Sequence, residues 1–255
     1  MNRSISIEPE FATALIRRKP VSHRRRVTRD AIIDAAEKLF IDKGYYGTRV
    51  SEVARLANVS IGSIYVHFEN KEGLYAALME RALTIEATYF DAIFDDDTIP
   101  DLEKTISLGE AYLQFFKDHP AYFRMLMIPH EDAPEEAAQT AIGLQVVDRG
   151  THQRKRLAQV ISNCIEQGML RDDIDPENAS YFWWAAWNGV ISLTLRRDSL
   201  GLTPEALEAV IIEGRRMIAQ GMAGSILRAE DGGIHEELSS RLREMRTDIR
   251  PLAVR

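Results

Sequence analysis

The 255-residue chain, 45% hydrophobic and 28% charged, has the composition of one large globular domain or two small ones, which excludes a disordered chain, a collagen-like repeat and a disulfide scaffold. Its longest nearly continuous apolar stretch, residues 182–195, contains Asn188 and Ser192 and is too short to span a bilayer, and the single Cys164 cannot form an internal disulfide, so a cytoplasmic protein with no membrane association is expected. The net charge of −7 is uneven: residues 1–81 hold 14 Lys and Arg against 10 Asp and Glu, and residues 82–255 hold 18 against 29, a basic tip on an acidic body.

In chain order, residues 1–27 lack sustained periodicity and carry Arg17, Arg18, Lys19, Arg24, Arg25 and Arg26, which reads as a mobile basic arm. Thr28 then reads as an N-cap, and Ile32, Ala35, Ala36, Leu39 and Phe40 recur at helical spacing until Gly44, predicting a helix over 28–43. Thr48 is expected to cap a second helix reaching Leu56, and Ser60 opens a third. A longer helix follows from about residue 70 to Phe94, striped by Leu74, Leu78, Leu83 and Phe90. Further helices are predicted at 101–117, 120–128, 135–167, 176–198 and 203–223, separated by Pro129, Pro134, Gly168, Pro176 and Pro204. With no strictly alternating run, the fold class is all-α. Beyond residue 223, Ile234, Leu238, Leu242, Met245 and Ile249 have amphipathic spacing, compatible with a last helix or with a loosely attached tail.

Residues 48–67 have the arrangement of a helix-turn-helix, a capped helix, a tight turn and a second helix able to enter a major groove. Gly62 costs roughly 1 kcal/mol relative to Ala inside a helix, a cost that makes sense where nucleic acid must approach the backbone. Ser60 and Ser63 can bond a base edge or phosphate, and Ile61 suits a thymine methyl. Tyr65, His67 and Lys71 are placed to clamp phosphates, Lys71 adding its charge to a helix N-terminus.

Over residues 28–75 the sequence resembles the DNA-binding domain of the TetR family of one-component transcriptional repressors. The likeness rests on Gly44-Tyr45, Thr48, Val53-Ala54, Val59-Ser60, Gly62, Tyr65, His67-Phe68, Lys71 and Leu74. It implies that Ser60, Ile61, Gly62 and Ser63 face bases and that Thr48, Tyr65, His67 and Lys71 hold phosphates. Arg49, beside Thr48, joins that DNA-binding set, and the arm's Arg24, Arg25 and Arg26 are expected to follow the backbone or enter a minor groove. Many members carry a polar or basic residue at the Ile61 position, so the base preference there is this chain's own.

The expected organisation is a DNA-binding domain over 28–75, a ligand-binding and dimerisation domain over 76–223 and a tail over 224–255. The resemblance implies that the helices at 176–198 and 203–223 pair with their symmetry mates, aided by Ala185, Ala186, Gly189, Gly214 and Gly221. A small-molecule effector pocket is implied between the middle helices, with Phe116, Phe123, Met127, Trp183, Trp184 and Trp187 as candidate lining residues. The partners are thus double-stranded DNA bearing a near-palindromic operator, a second copy of the chain and an effector. No cofactor and no metal is expected: His130-Glu131-Asp132 and Asp95-Asp96-Asp97 lie between helices beside prolines, where acidic residues cap and solvate. Arg154-Lys155-Arg156 reads as a solvated face, Arg196-Arg197 and Arg215-Arg216 as helix-end or interface pairs, and Cys164 as an inert core thiol. No paired acid and base or activated nucleophile points to an enzyme, and an architectural DNA-binding protein would leave the aromatic larger domain unexplained.

Overall fold

A computed structural model describes residues 23–127, 140–196, 198–246 and 250–251. Ten α-helices occur among these residues: α1 (His23–Gly47), α2 (Val50–Leu56), α3 (Ile61–Phe68), α4 (Lys71–Phe94), α5 (Asp101–Asp118), α6 (Pro120–Met127), α7 (Ala141–Glu166), α8 (Pro176–Ser192), α9 (Pro204–Met222) and α10 (Glu236–Arg243). The β features are two isolated antiparallel bridges, Leu170 to Ala223 and Arg228 to Ile234, so the chain is all-α.

Helix starts follow the capping chemistry in the sequence. The side chains of Asn70, Thr140, Asp175 and Thr203 each accept a hydrogen bond from the backbone N–H three residues on, and Pro176 and Pro204 stand at first-turn positions where no N–H is needed. Gly44 interrupts α1 with φ 71 and ψ 178, a conformation that suits a residue without Cβ. The amino-terminal bundle closes over Ile32, Ile33, Ala36, Phe40, Val53, Ile64 and Phe68. The larger body is centred on Tyr89, Leu108, Tyr112, Phe115, Phe123, Ile161 and Ile191. Helix α4, about 36 Å long at 1.5 Å per residue, packs on α1 and α3 at one end and on α5, α6 and α7 beyond, joining the two.

Several expectations are corrected. The first helix starts at His23, so Arg24, Arg25 and Arg26 belong to α1 and not to an irregular arm; residues 1–22 of that arm lie outside the described residues. Thr48 is 1% exposed and is not a cap: its hydroxyl is shared between the carbonyl oxygens of Gly44 at 2.9 Å and Leu39 at 3.0 Å. Arg49 is the N-cap of α2 instead, its backbone N–H donating to Glu52 at 3.1 Å. Helix α8 ends at Ser192 and continues as a 3-10 turn over Leu193–Leu195. The helix expected over 135–167 is seen from Ala141, its first residues and the cluster at 130–132 lying outside the described residues.

The carboxy-terminal segment is docked. Leu242 of α10 is buried, and Arg241 bonds Glu103 at 2.7 Å and Glu110 at 2.8 Å, both on α5. Arg215, expected at a helix end or interface, is 7% exposed and reaches Glu110 at 3.3 Å and the Glu244 carbonyl at 3.1 Å. Arg154 and Arg156 are likewise spent within the chain, the first paired with Glu177 and lying over Tyr181, the second bonded to Asp91 at 2.6 Å and lying over Phe94. Cys164 is fully buried, which pushes its thiol up to about 12.

Candidate nucleic-acid interface

Helix α3 starts at Ser60, whose Oγ accepts from the Ser63 N–H at 3.1 Å. That bond uses one lone pair of Ser60 and leaves its O–H to donate outward. Ile64 and Phe68 anchor the helix in the core. The opposite face exposes Ile61, Tyr65 and Val66, with Tyr65 48% exposed. Gly62 lies on that face, and a Cβ built there would meet only the Ser60 Oγ, 3.9 Å away. No contact among the described residues requires a glycine at 62.

Positive charge gathers at the far end of α3. Burial is the main cause holding His67 below its ordinary value, and the guanidinium groups of Arg25 and Arg29 add to it. The first turns of α1 and the last turn of α3 therefore face the same solvent region. Lys71, at the start of α4, lies 4.2 Å from the centre of the Tyr45 ring, and burial lowers its ammonium. The Tyr45 hydroxyl donates to Glu72 at 2.6 Å, which holds α1 to the start of α4. Arg26 and Arg49 are exposed on the same bundle. Of the twelve sequence-derived residues, Ser60, Ile61, Gly62, Ser63, Tyr65, His67, Lys71, Arg25, Arg26 and Arg49 have solvent access, Thr48 does not, and the Arg24 side chain lies outside the described residues.

Two cavities open in the larger body. The first, about 300 Å³, is walled by α4, α7 and α8, with Leu108 of α5 and Leu126 of α6, and includes Leu83, Glu86, Phe90, Gln153, Arg154 and Trp184. The second, about 650 Å³, lies under the carboxy-terminal segment and includes Ile106, Leu170, Trp187, Arg215, Met222 and Leu242. Trp183 lines both. Of the sequence-derived ligand residues, Trp183 and Trp184 reach the first cavity and Trp187 the second. Phe123 is fully buried with its ring 5.0 Å from that of the partly buried Phe116, so both serve the core, and the Met127 side chain lies outside the described residues.

Glu86 was not among the expected site residues. It is 6% exposed, and burial alone pushes its carboxyl up to about 8. Met79, Leu83, Glu86, Phe90 and Phe94 form a single row at helical spacing, so one carboxyl interrupting an apolar row was the sequence signal.

Comparison with known proteins accords with this geometry. Residues 32–78 match the family model described as bacterial regulatory proteins, tetR family, and residues 105–214 match the tetracyclin repressor-like C-terminal domain. The chain is 30% identical to the HTH-type transcriptional repressor KstR2 of Mycobacterium tuberculosis over 148 residues, 58% of this chain and 71% of the relative. It is 28% identical to the HTH-type transcriptional regulator RutR of Escherichia coli over 203 residues, 73% of this chain and 89% of that one. Among solved structures, KstR2, described as a ketosteroid transcriptional regulator, superposes with a TM-score of 0.57 at 23% identity, covering 77% of this chain and 95% of that one. AibR, in complex with isovaleryl coenzyme A and operator DNA, superposes with a TM-score of 0.55 at 17% identity, covering 72% and 95%.

Proposed function

Because the chain belongs to the TetR family of transcriptional regulators, we propose that this DNA-binding regulator works as a homodimeric repressor, released from a near-palindromic operator when a small molecule fills the cavity beside α4. The observation that carries the reading is the outward face of α3, where Gly62 has no internal reason to lack a side chain. In this reading Ser60, Ile61, Gly62 and Ser63 face bases in the major groove, and Tyr65 holds a phosphate at its edge. His67, Lys71, Arg25, Arg26 and Arg49 meet phosphates around it.

Dimerisation is supported by the same kind of evidence on α8 and α9. Tyr181, Phe182, Trp184, Val210 and Met217 are exposed. A Cβ on Gly189, Gly214 or Gly221 would meet nothing within 4 Å. These apolar and small residues suit a second copy of the same helices, and two reading helices about 34–36 Å apart or a little more then meet successive major grooves.

Release requires the effector to bind one arrangement of α4 better than another. Helix α4 carries Lys71 at the reading bundle and Glu86, Phe90 and Phe94 at the cavity, so a shift of its cavity end moves the bundle. No helix among the described residues is long and apolar enough to cross a membrane, and the proposed place of action is the cytoplasm. The test is selection of bound sequences from random duplex DNA at two salt concentrations, with Tyr65→Ala as control. A near-palindrome lost in the variant is the expected result. Enrichment indifferent to Tyr65 overturns the assignment of α3, and a monomer at micromolar concentration overturns the dimer.

A further inference from the structure

The first cavity contains two polar groups that the chain itself leaves unanswered. The Glu86 carboxyl, more than nine-tenths buried, makes no hydrogen bond among the described residues. The Gln153 Oε1 is buried without a partner, while its Nε2 donates to Asp91 at 3.3 Å. Other polar groups on the wall bond within the chain. Arg154 is paired with Glu177 and donates to Ser180 Oγ at 3.1 Å, and the Ser180 hydroxyl donates to the Glu177 carbonyl at 2.7 Å. From α5, Tyr112 faces Glu86 electrostatically, but its hydroxyl is given to Asn188 at 2.6 Å. Thr151 gives its hydroxyl to the Val147 carbonyl at 2.9 Å, Tyr181, Trp183 and Trp184 add aromatic surface with a polar ring group each, and the rest of the lining is apolar.

A carboxyl in such a wall is held neutral near pH 7, and its O–H is then a donor with nothing to receive it. Gln153 Oε1 is an acceptor with nothing to give it a proton. A complementary ligand gives the carboxyl on the cavity wall an acceptor and the buried Gln153 Oε1 a donor. An ammonium ligand fits less well, because the wall already carries the Arg154 cation and a neutral carboxyl offers an ammonium no counter-charge.

We propose that the cavity takes an uncharged, mostly apolar molecule whose carbonyl oxygen accepts a hydrogen bond from the Glu86 side chain, with room for a hydroxyl or N–H of that molecule to donate to Gln153. This rests on the reading of the cavity as the effector site, and it names the chemistry of that effector.

Three bicyclic probes of nearly equal shape test it with the full-length protein: 2-acetylnaphthalene, 2-isopropylnaphthalene and protonated 1-(2-naphthyl)ethylamine, titrated by ligand-observed NMR. The ketone binds about tenfold more tightly than the hydrocarbon, the worth of one hydrogen bond made in an apolar site. Glu86→Gln keeps that preference, since its amide N–H also donates, whereas Glu86→Leu removes it while still binding the hydrocarbon. Affinity for the ketone falls as pH rises through about 8 in the parent protein and stays level in Glu86→Gln.

Equal binding of ketone and hydrocarbon overturns the proposal, as does binding of none of the three. So does preference for the amine, rising with pH and abolished by Glu86→Gln, which would mark a cation site. Preferential ketone binding through Glu86 with operator affinity unchanged upholds the proposal and instead overturns the effector reading.

Discussion

Tyr122 donates its phenolic hydroxyl to Glu37 across 2.6 Å, joining α6 of the larger body to α1 of the reading bundle. Glu37 also receives Arg81 of α4 at 3.3 Å, and the same guanidinium reaches Asp34 at 2.5 Å. Four residues from Tyr122, Leu126 lines the first cavity, and five residues from Arg81 stands Glu86. Two elements that wall the cavity therefore each hold the same carboxylate on the reading bundle. In the proposed mechanism, movement of either wall would alter how α1 is held.

Replacing Tyr122 by Phe removes this bond while keeping the ring. Glu37 retains Arg81 and some solvent access, so the expected cost is modest, about 1 kcal/mol in urea unfolding. The more telling expectation is functional: affinity for the selected operator stays within about threefold, while the loss of affinity caused by a cavity ligand is weakened by a larger factor. Equal ligand-induced release in parent and variant would show that the α6 link carries no coupling.

Gly62→Ala and Gly109→Ala should part company. At Gly62 the added methyl enters open space and improves helix propensity, so the variant should be more stable, by up to about 1 kcal/mol, yet bind operator worse. At Gly109 a Cβ would overlap the Trp187 indole, so thermal stability should fall sharply. Unfolding curves and fluorescence anisotropy on both variants check this. Normal operator affinity in Gly62→Ala would remove the argument that nucleic acid approaches there.

If His67 meets a phosphate as proposed, operator binding should depend on pH. In the free protein burial and the neighbouring Arg25 and Arg29 hold its imidazole below 6.5, so it is neutral at pH 7. A phosphate beside it favours the charged form and raises its pKa in the complex, so binding takes up a proton. Affinity should therefore strengthen as pH falls from 7.5 towards 5.5, by no more than about tenfold per pH unit for one group. His67→Asn should flatten that dependence, and an unchanged slope in the variant would assign the effect to another residue.

The reading bundle was legible because its signals are local. Gly44, the Ser60 cap, Asn70 before α4 and the apolar spacing of Ile32, Ala36 and Phe40 are each decided within a few residues. Thr48 misled because a threonine before a helix fits a cap equally well as a buried hydroxyl bonded back to the preceding turn, and only the kink at Gly44 brings those carbonyls within reach. The cavity was only partly legible. Trp183 and Trp184 were found by bulk, but Phe116 and Phe123 look the same in sequence and pack into the core, since which face of a helix meets an empty space depends on its distant neighbours.

The docked carboxy-terminal segment offers the sharpest stability test, because its anchor is charged. Arg241 meets Glu103 and Glu110, and the Glu110 side chain is fully buried between Arg241 and Arg215. Removing Arg241 takes one guanidinium from Glu110, which keeps Arg215 and the Arg246 N–H, so Arg241→Ala should cost about 1.5–3 kcal/mol. Glu110→Gln should cost at least as much, because it removes the carboxylate that meets both Arg241 and the buried Arg215. The double variant Arg241→Ala with Glu110→Gln should then lie closer to Glu110→Gln than additivity predicts, with a coupling of about 1–3 kcal/mol. Urea unfolding of the four proteins in this cycle measures it. Additive effects would mean that Arg241 holds the segment through Glu103 and packing, and that the long-range bond from residue 241 to residue 110 contributes nothing to the stability of the body.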